Sequence, residues 1–316
     1  MRSKPFSKPI ESLNSSELKR KRAVGNVMTR TLAELSCLFV ENRFEWLLPV
    51  VLSRTTDPLW PDPNASLDKR VELEAYGETV RTTASMIIHK MVACSLLHKK
   101  IFILSPNVRL EKVERAATGI HAFEFTQLDF EIRNASSVDV RTLVETILTA
   151  FIEKIRKTAE NEFEILGTKP VTLKPPFPTH NLTELTGRYG NAWETEFTAG
   201  LKKPAWIVNM PREFYDYENF ETGKWDNYDL FLPHYGEVLS GAKRECEYSK
   251  LLKKIDRDHV EKSNYKVLLN LAKSGRLKPS AGAGIGIERL VGWLTGTKHL
   301  GEVQPFPKIP GEIHDL

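Results

Sequence analysis

Apolar residues recur at helical spacing over residues 17–41, where Val24, Val27, Met28, Leu32, Leu35, Leu38 and Phe39 share one side. The same period returns over residues 84–98 and 138–164. Between these stretches the pattern shortens to strand-like runs: WLLPVVL at 46–52, interrupted by Pro49, then KKIFILS, PAWIVNM and NYDLFLP. The text VELEAYGETVRTT alternates on either side of Tyr76-Gly77 and predicts a hairpin. SRTTDPLWPDPNASLDKR predicts a loop, because its prolines and polar residues support neither period. Residues 165–200 carry Pro and Gly punctuation, one short helix at 181–187 and no assigned chemistry, as a small inserted lobe would. Helices fall between hairpins rather than after every strand, so the fold class is α+β, an antiparallel sheet flanked by helices.

One run breaks the pattern. In HAFEFTQLDFEI, residues 121–132, Phe123 and Phe125 share a face with Asp129 and Glu131, while Leu128, Phe130 and Ile132 take the other. Acids on a face with aromatics are costly unless cations or hydrogen-bond donors fill the space, so this strand predicts the floor of a polar pocket.

The chain's 316 residues, 41% hydrophobic, suffice for a large core, and 45 Lys and Arg against 41 Asp and Glu leave a formal charge of +4. That balance suits a small anionic substrate and is no nucleic-acid footprint by itself. Cys37, Cys94 and Cys246 are isolated, which excludes a disulfide framework or zinc pattern; Cys37 and Cys94 read as buried thiols. No apolar run is long enough to span a membrane, and the basic opening MRSKPFSKPIESLNSSELKRKR lacks the apolar centre of a secretory signal. Residues 1–21 are expected to form a flexible arm, residues 22–316 one domain, and the location to be cytoplasmic.

Candidate chemistry is scattered. SAGAGIGIERL places Gly282, Gly284 and Gly286 before a helix carrying Arg289, a pattern that permits close backbone packing or a strand passing under a flat ligand. It is not a dinucleotide fingerprint, because its spacing is GxGxG. Arg109, with Glu111 after it, can clamp a phosphate or carboxylate. Asp229 and Glu237 stand eight positions apart across a turn and can hold a divalent cation. Lys90 and Arg244 are further cations, and Lys90 sits in apolar helical text where it must snorkel or meet an acid.

Taken in order, RLE, EFTQLDFE, YGEVLSGAKRE and GAGIGIERL resemble the catalytic domain of class II aminoacyl-tRNA synthetases, in the aspartyl/asparaginyl branch, over residues 24–311. Pro49 matches the proline of the first class motif, residues 109–131 the second and 282–290 the third. The resemblance implies ATP and Mg²⁺ as cofactors. It implies catalytic roles for Arg109, Glu237 and Arg289, with Arg109 on the α-phosphate, Phe125 stacking on adenine and Arg289 on its other face. Glu111, Arg115, His121, Gly284 and Gly286 complete the implied ATP site; Asp229, Glu237 and Ser240 are the implied metal set. On the amino-acid side it implies Ser85, Lys90, Gln127, Asp129, Glu131 and Arg244, with Asp129 near the substrate ammonium. A homodimer through the first motif is also implied.

Relatives of this type carry an N-terminal oligonucleotide-binding barrel, and only about 20 residues precede the first helix here. The motif text, including DPLWPDP and EVQPFP, resembles the stand-alone asparagine synthetases related to asparaginyl-tRNA synthetase. The activity expected on that resemblance is an aspartate–ammonia ligase that forms asparagine, AMP and pyrophosphate through a β-aspartyl adenylate, with tRNA binding not expected. The alternatives are a stand-alone paralogue ligating aspartate or asparagine to tRNA or a protein, and a non-catalytic regulator. Met86 and Ile87 depart from the branch's proline and glutamine, which suggested a lost contact to the substrate ammonium. Ile120 and Gly301 stand where charging enzymes carry arginines, leaving Arg115 as the candidate for the γ-phosphate.

Overall fold

A computed structural model describes residues 6, 8–59 and 67–314. Trp60–Pro63 of DPLWPDP and most of the first seven residues lie outside the described residues. The first helix, α1, spans Ser15–Glu41 and so begins inside the expected arm. A capping box fixes that start: Asn14 Oδ1 accepts from Glu17 N at 2.9 Å, and Asn14 N donates back to the Glu17 carboxylate at 2.8 Å. Such a cap contributes about 1 kcal/mol and ends the arm there.

The central sheet comprises β1 Glu45–Trp46, β2 Lys100–Val108, β3 Glu124–Arg133, β4 Thr179–Asn181, β5 Ala205–Val208, β6 Asn227–Leu232, β7 Gly236–Lys243 and β8 Ser280–Gly286. Its spatial order is β1-β2-β3-β8-β7-β6-β5-β4. The six inner strands are antiparallel, as the hairpin-rich text predicts, whereas edge strands β1 and β4 run parallel to their neighbours. The other α-helices among the described residues are α2 Ile87–Leu96, α3 Ser137–Thr158, α4 Glu160–Leu166, α5 Leu182–Tyr189, α6 Trp193–Gly200, α7 Tyr248–Arg257, α8 Lys266–Lys273 and α9 Ile287–Thr295.

Alternation in β3 separates core from site. Leu128 and Phe130 enter the main core with Val27, Phe39, Val144 and Phe151, contributed by α1 and α3. Burying Phe130 fully contributes roughly 1.5–3 kcal/mol. The opposite face presents Phe125, Gln127 and Asp129, and β8 lies against it with Gly284 opposite Asp129 and Gly282 opposite Glu131. A Cβ on Gly284 would stand 2.9 Å from Asp129 Oδ1 and 3.0 Å from Gln127 Nε2. Close approach is therefore the physical reason for glycine at 282 and 284.

Three expectations change. The strand expected at 46–52 is two fragments, Glu45–Trp46 and Leu52–Ser53, in different sheets, and the second pairs with the predicted 72–82 hairpin. The lobe at 165–200 holds β4, α5 and α6 rather than one helix. Cys37 is exposed, because its side of α1 faces away from the core, whereas Cys94 is buried. No helix among the described residues is long and apolar enough to cross a membrane.

Candidate active site

Two connected hollows lie over β3, β7 and β8. The first is a cleft lined by Arg109, Glu111, Ile120, His121, Phe125, Gly284, Gly286, Glu288 and Arg289. The second is a cavity of about 180 Å³ lined by Ser85, Ile87, Lys90, Asp129, Arg212, Glu213, Asp216, Ser240 and Arg244. Arg109, Gln127, Glu237 and Gly284 line both.

In the cleft, the Arg109 guanidinium lies 5.2 Å from the Phe125 ring centroid, and Arg109 Nε donates to the Ala84 carbonyl at 2.9 Å. A cation is thereby held flat beside an aromatic face. Arg289 is tied to the opposite wall, donating to the carbonyls of Ile120 at 3.0 Å and Glu237 at 2.6 Å. Glu288, on the same first turn of α9, accepts from Thr126 N at 2.9 Å and from Gln304 at 3.0 Å, locking α9 to β3.

His121 is held in one tautomer. A guanidinium only donates, so the Arg115 contact at 2.5 Å makes Nε2 the acceptor, and Nδ1–H donates to Thr118 Oγ1 at 2.5 Å. Burial, reinforced by Arg289, Arg115 and Arg109, pushes its pKa down to about 3. Arg115 itself does not line the cleft; it binds His121 and reaches Glu111 at 3.4 Å. Burial raises the Glu111 carboxyl above its usual range against the pull of Arg115 and Arg109.

In the cavity, Lys90 Nζ donates to Asp129 Oδ1 at 2.9 Å and to the Ala283 carbonyl at 3.1 Å, with Glu131 Oε2 at 3.9 Å. Arg244 meets Glu131 at 3.3 Å, the Gly282 carbonyl at 3.1 Å and the Asp216 carboxylate. Both expected cations are thus buried and already matched by internal acids, as burial requires. Glu131 sits wholly beneath the cavity floor, accepting from Ser280 Oγ at 2.8 Å, and does not line the space. Gln127 accepts from Asn107 at 2.7 Å. Ser85 Oγ accepts from Ile87 N at 3.2 Å.

Asp229 and Ser240 face each other across the β6–β7 ladder. Arg212 holds one Asp229 oxygen, while Oδ1 is buried without a partner. Burial and the neighbouring Glu237 push the Asp229 carboxyl up to about 7, against the pull of Arg212. This hard-oxygen set, with one acceptor orphaned, fits Mg²⁺ in type. Among the described residues no cluster of three or more His, Cys, Asp or Glu forms a metal cage, so such an ion would take further oxygens from phosphates or water.

Sequence reasoning passed over several of these residues. Arg212, Glu213, Tyr215 and Asp216 lie on the connection after β5 and line the cavity because Phe214 beside them anchors in a second core with Ile87 and Leu251. Glu194, in the lobe assigned no chemistry, faces Glu237 and Arg289, and burial raises its pKa. The only sequence signal was the charge density of PREFYD between apolar runs. Of the departures, Ile87 belongs to that second core and also lines the cavity, and Gly301 N donates to His299 Nδ1 at 3.1 Å while its carbonyl receives Lys21 at 3.0 Å.

Residues 71–310 match the family described as tRNA synthetases class II (D, K and N). The chain belongs to this family. It is 26% identical over 233 residues to the asparagine–tRNA ligase of Thermoplasma acidophilum, covering 66% of this chain and 53% of that protein. It is 27% identical over 237 residues to the asparagine–tRNA ligase of Pyrococcus furiosus, covering 68% and 54%. The chain thus spans about half the length of these curated relatives. The fold matches asparaginyl-tRNA synthetase of Pyrococcus horikoshii, solved with asparaginyl-adenylate, at TM-score 0.81 and 21% identity over 98% of this chain and 76% of that one. The Entamoeba histolytica asparaginyl-tRNA synthetase, also solved with asparaginyl-adenylate, gives TM-score 0.81 at 18% identity, over 93% and 68%. The class II synthetase fold is thereby established, and the relatives found lie in its aspartyl/asparaginyl branch. The aspartate–ammonia ligase expected from the sequence is overturned, because these relatives are asparagine–tRNA ligases. The same relatives overturn the expectation against tRNA as a partner.

Proposed function

We propose that the chain activates asparagine or aspartate with ATP as an aminoacyl adenylate and transfers the aminoacyl group to the 3′ end of tRNA. The observation that supports this reading best is the junction of the two hollows at Arg109, Gln127, Glu237 and Gly284. A nucleotide in the cleft and an amino acid in the cavity would meet there, so the adenylate would span both.

In this reading Phe125 and Arg289 hold the adenine between them, and Arg109 neutralises the α-phosphate and the reacting carboxylate together. A carboxylate oxygen attacks the α-phosphorus as the bond to pyrophosphate breaks. Positioning and fixed charge carry the step, since no side chain need move a proton. His121, neutral and with both ring nitrogens taken by Arg115 and Thr118, braces Arg115 without adding charge beside three arginines. Asp229, Glu237 and Ser240 would hold Mg²⁺, which supplies electrophilic charge against the phosphates. Ser85, Lys90, Gln127, Asp129 and Arg244 bind the amino acid, and Glu131 acts from below by positioning Arg244.

The test is ATP–pyrophosphate exchange with each of the twenty amino acids, followed by charging of tRNA transcripts. Exchange confined to asparagine or aspartate, with aminoacyl-tRNA formed, is the expected result. Exchange without charging of any tRNA would sink the acceptor assignment, and absence of exchange would sink the activation step.

A further inference from the structure

The cavity contains acids that its own cations do not match. Lys90 is paired with Asp129, and Arg244 with Asp216 and Glu131. Arg212 is committed to Asp229. Among the described residues neither Glu213 nor Asp57 enters an ion pair, although both are at least nine-tenths buried and both line the cavity. Asp57 receives only the Leu59 N–H at 2.9 Å and the Tyr215 hydroxyl. A further acceptor, Asp129 Oδ2, is buried in the same space with no partner.

Arg109, which also lines the cavity, enters no ion pair among the described residues, yet the lining acids still outnumber the cations. A space with acceptors left over is the complement of a compact group with several N–H donors and a positive charge. We infer that Glu213, acting with Asp57, receives the α-ammonium of the amino-acid substrate and sets the requirement for a free amine. This rests on the reading of the cavity as the amino-acid site.

The segment is built for such a role. Phe214 is fully buried in the second core, which fixes the backbone on which Glu213 turns to the cavity. Burial and the Asp57 charge push the Glu213 carboxyl up to about 8, with Arg212 opposing and Asp216 adding to the rise. Asp57 is raised by burial and opposed by Arg109 and Arg70. Near neutral pH the empty pair therefore keeps a proton, and an arriving ammonium displaces it to solvent. No bond of the substrate changes in this step; one proton leaves the carboxyl as one cation arrives.

Calorimetric titration of the full chain, with a non-hydrolysable ATP analogue present, tests this without requiring RNA or turnover. Asparagine, aspartate and their deamino analogues succinamate and succinate are titrated in two buffers of different ionisation heat. In the wild type, amino-acid binding is expected to release close to one proton at pH 7 and to tighten about tenfold per pH unit between pH 6 and 8. The deamino analogues are expected to bind about 10- to 100-fold more weakly, because they leave buried acceptors unmatched. Glu213→Gln keeps the shape and removes a buried acid, so its melting temperature should hold, while proton release disappears and the amine preference shrinks at least about tenfold. Glu213→Asp should recover part of both. Unchanged proton release and amine preference in Glu213→Gln would overturn this inference alone. Failure of the wild type to bind either amino acid would overturn it together with the functional reading.

Discussion

Lys90 and Asp129 face each other at 2.9 Å across the α2–β3 contact, with only 2% of either side chain exposed. Removing one partner strands the other charge in the interior, which costs about 3–5 kcal/mol. Lys90→Met should lower stability by that amount in denaturant unfolding. Adding Asp129→Asn should restore much of the stability, while pyrophosphate exchange stays absent in both variants. Recovery of exchange in the double variant would show that the pair serves folding only.

Arg109 can be removed more gently, since its hydrogen bond goes to a backbone carbonyl and it is only half-buried. Arg109→Ala should leave thermal unfolding nearly unchanged and lower exchange by about 10²–10³-fold, the scale of losing one fixed transition-state donor. A rise in the amino-acid KM alone, with kcat intact, would place Arg109 outside the reacting centre.

The His121 pKa of about 3 fixes a sign. An unfolded histidine takes up its proton near pH 6.5, whereas the folded one stays neutral to about pH 3, so the unfolded chain binds more protons across that window. Stability should therefore fall as pH drops through 6.5 towards 3. His121→Gln should flatten this part of the profile, measured as urea midpoints in 0.5-unit steps, about two per pH unit. An unchanged slope would contradict the buried neutral tautomer.

Gly284→Ala would put a methyl group 2.9 Å from Asp129 Oδ1 and 3.0 Å from Gln127. Overpacking of this kind costs roughly 1–3 kcal/mol. Because the residue lines both hollows, affinity for ATP and for the amino acid should fall together, measured by calorimetry with each ligand separately.

Trp46, Leu48, Val51 and Leu52 are all exposed, next to a largely apolar hollow lined by Leu48, Val92, Leu96, Leu97 and Val267. Exposed apolar side chains grouped in this way are a mark of interaction surfaces. The homodimer implied by the first motif would cover it. Leu48→Glu should shift sedimentation from dimer to monomer at micromolar concentration, and a wild-type chain that sediments as a monomer would end that expectation.

What the sequence conveyed depended on range. The alternation in HAFEFTQLDFEI predicted a polar floor because neighbours two apart share a face whatever the tertiary fold, and β3 has that face. The glycines of β8 left two readings, packing or ligand, and Gly284 serves a close approach while lining both hollows. Glu213 and Asp216 were invisible because their importance comes from Asp57 and Arg244, each distant in the chain. Arg115 was expected at a phosphate and instead braces His121, a contact six residues away that spacing alone does not reveal. The activity was misread for another reason: short motif text shared by several relatives does not determine what the activated amino acid is handed to.

The shared wall of four residues also constrains anyone who would redesign this chain. A change at Arg109, Gln127, Glu237 or Gly284 made to admit a new amino acid will alter nucleotide handling as well. Alterations at Ser85 or Ile87, which border only the second cavity, leave the cleft of Phe125 and Arg289 untouched, so selection for new side chains is best begun there.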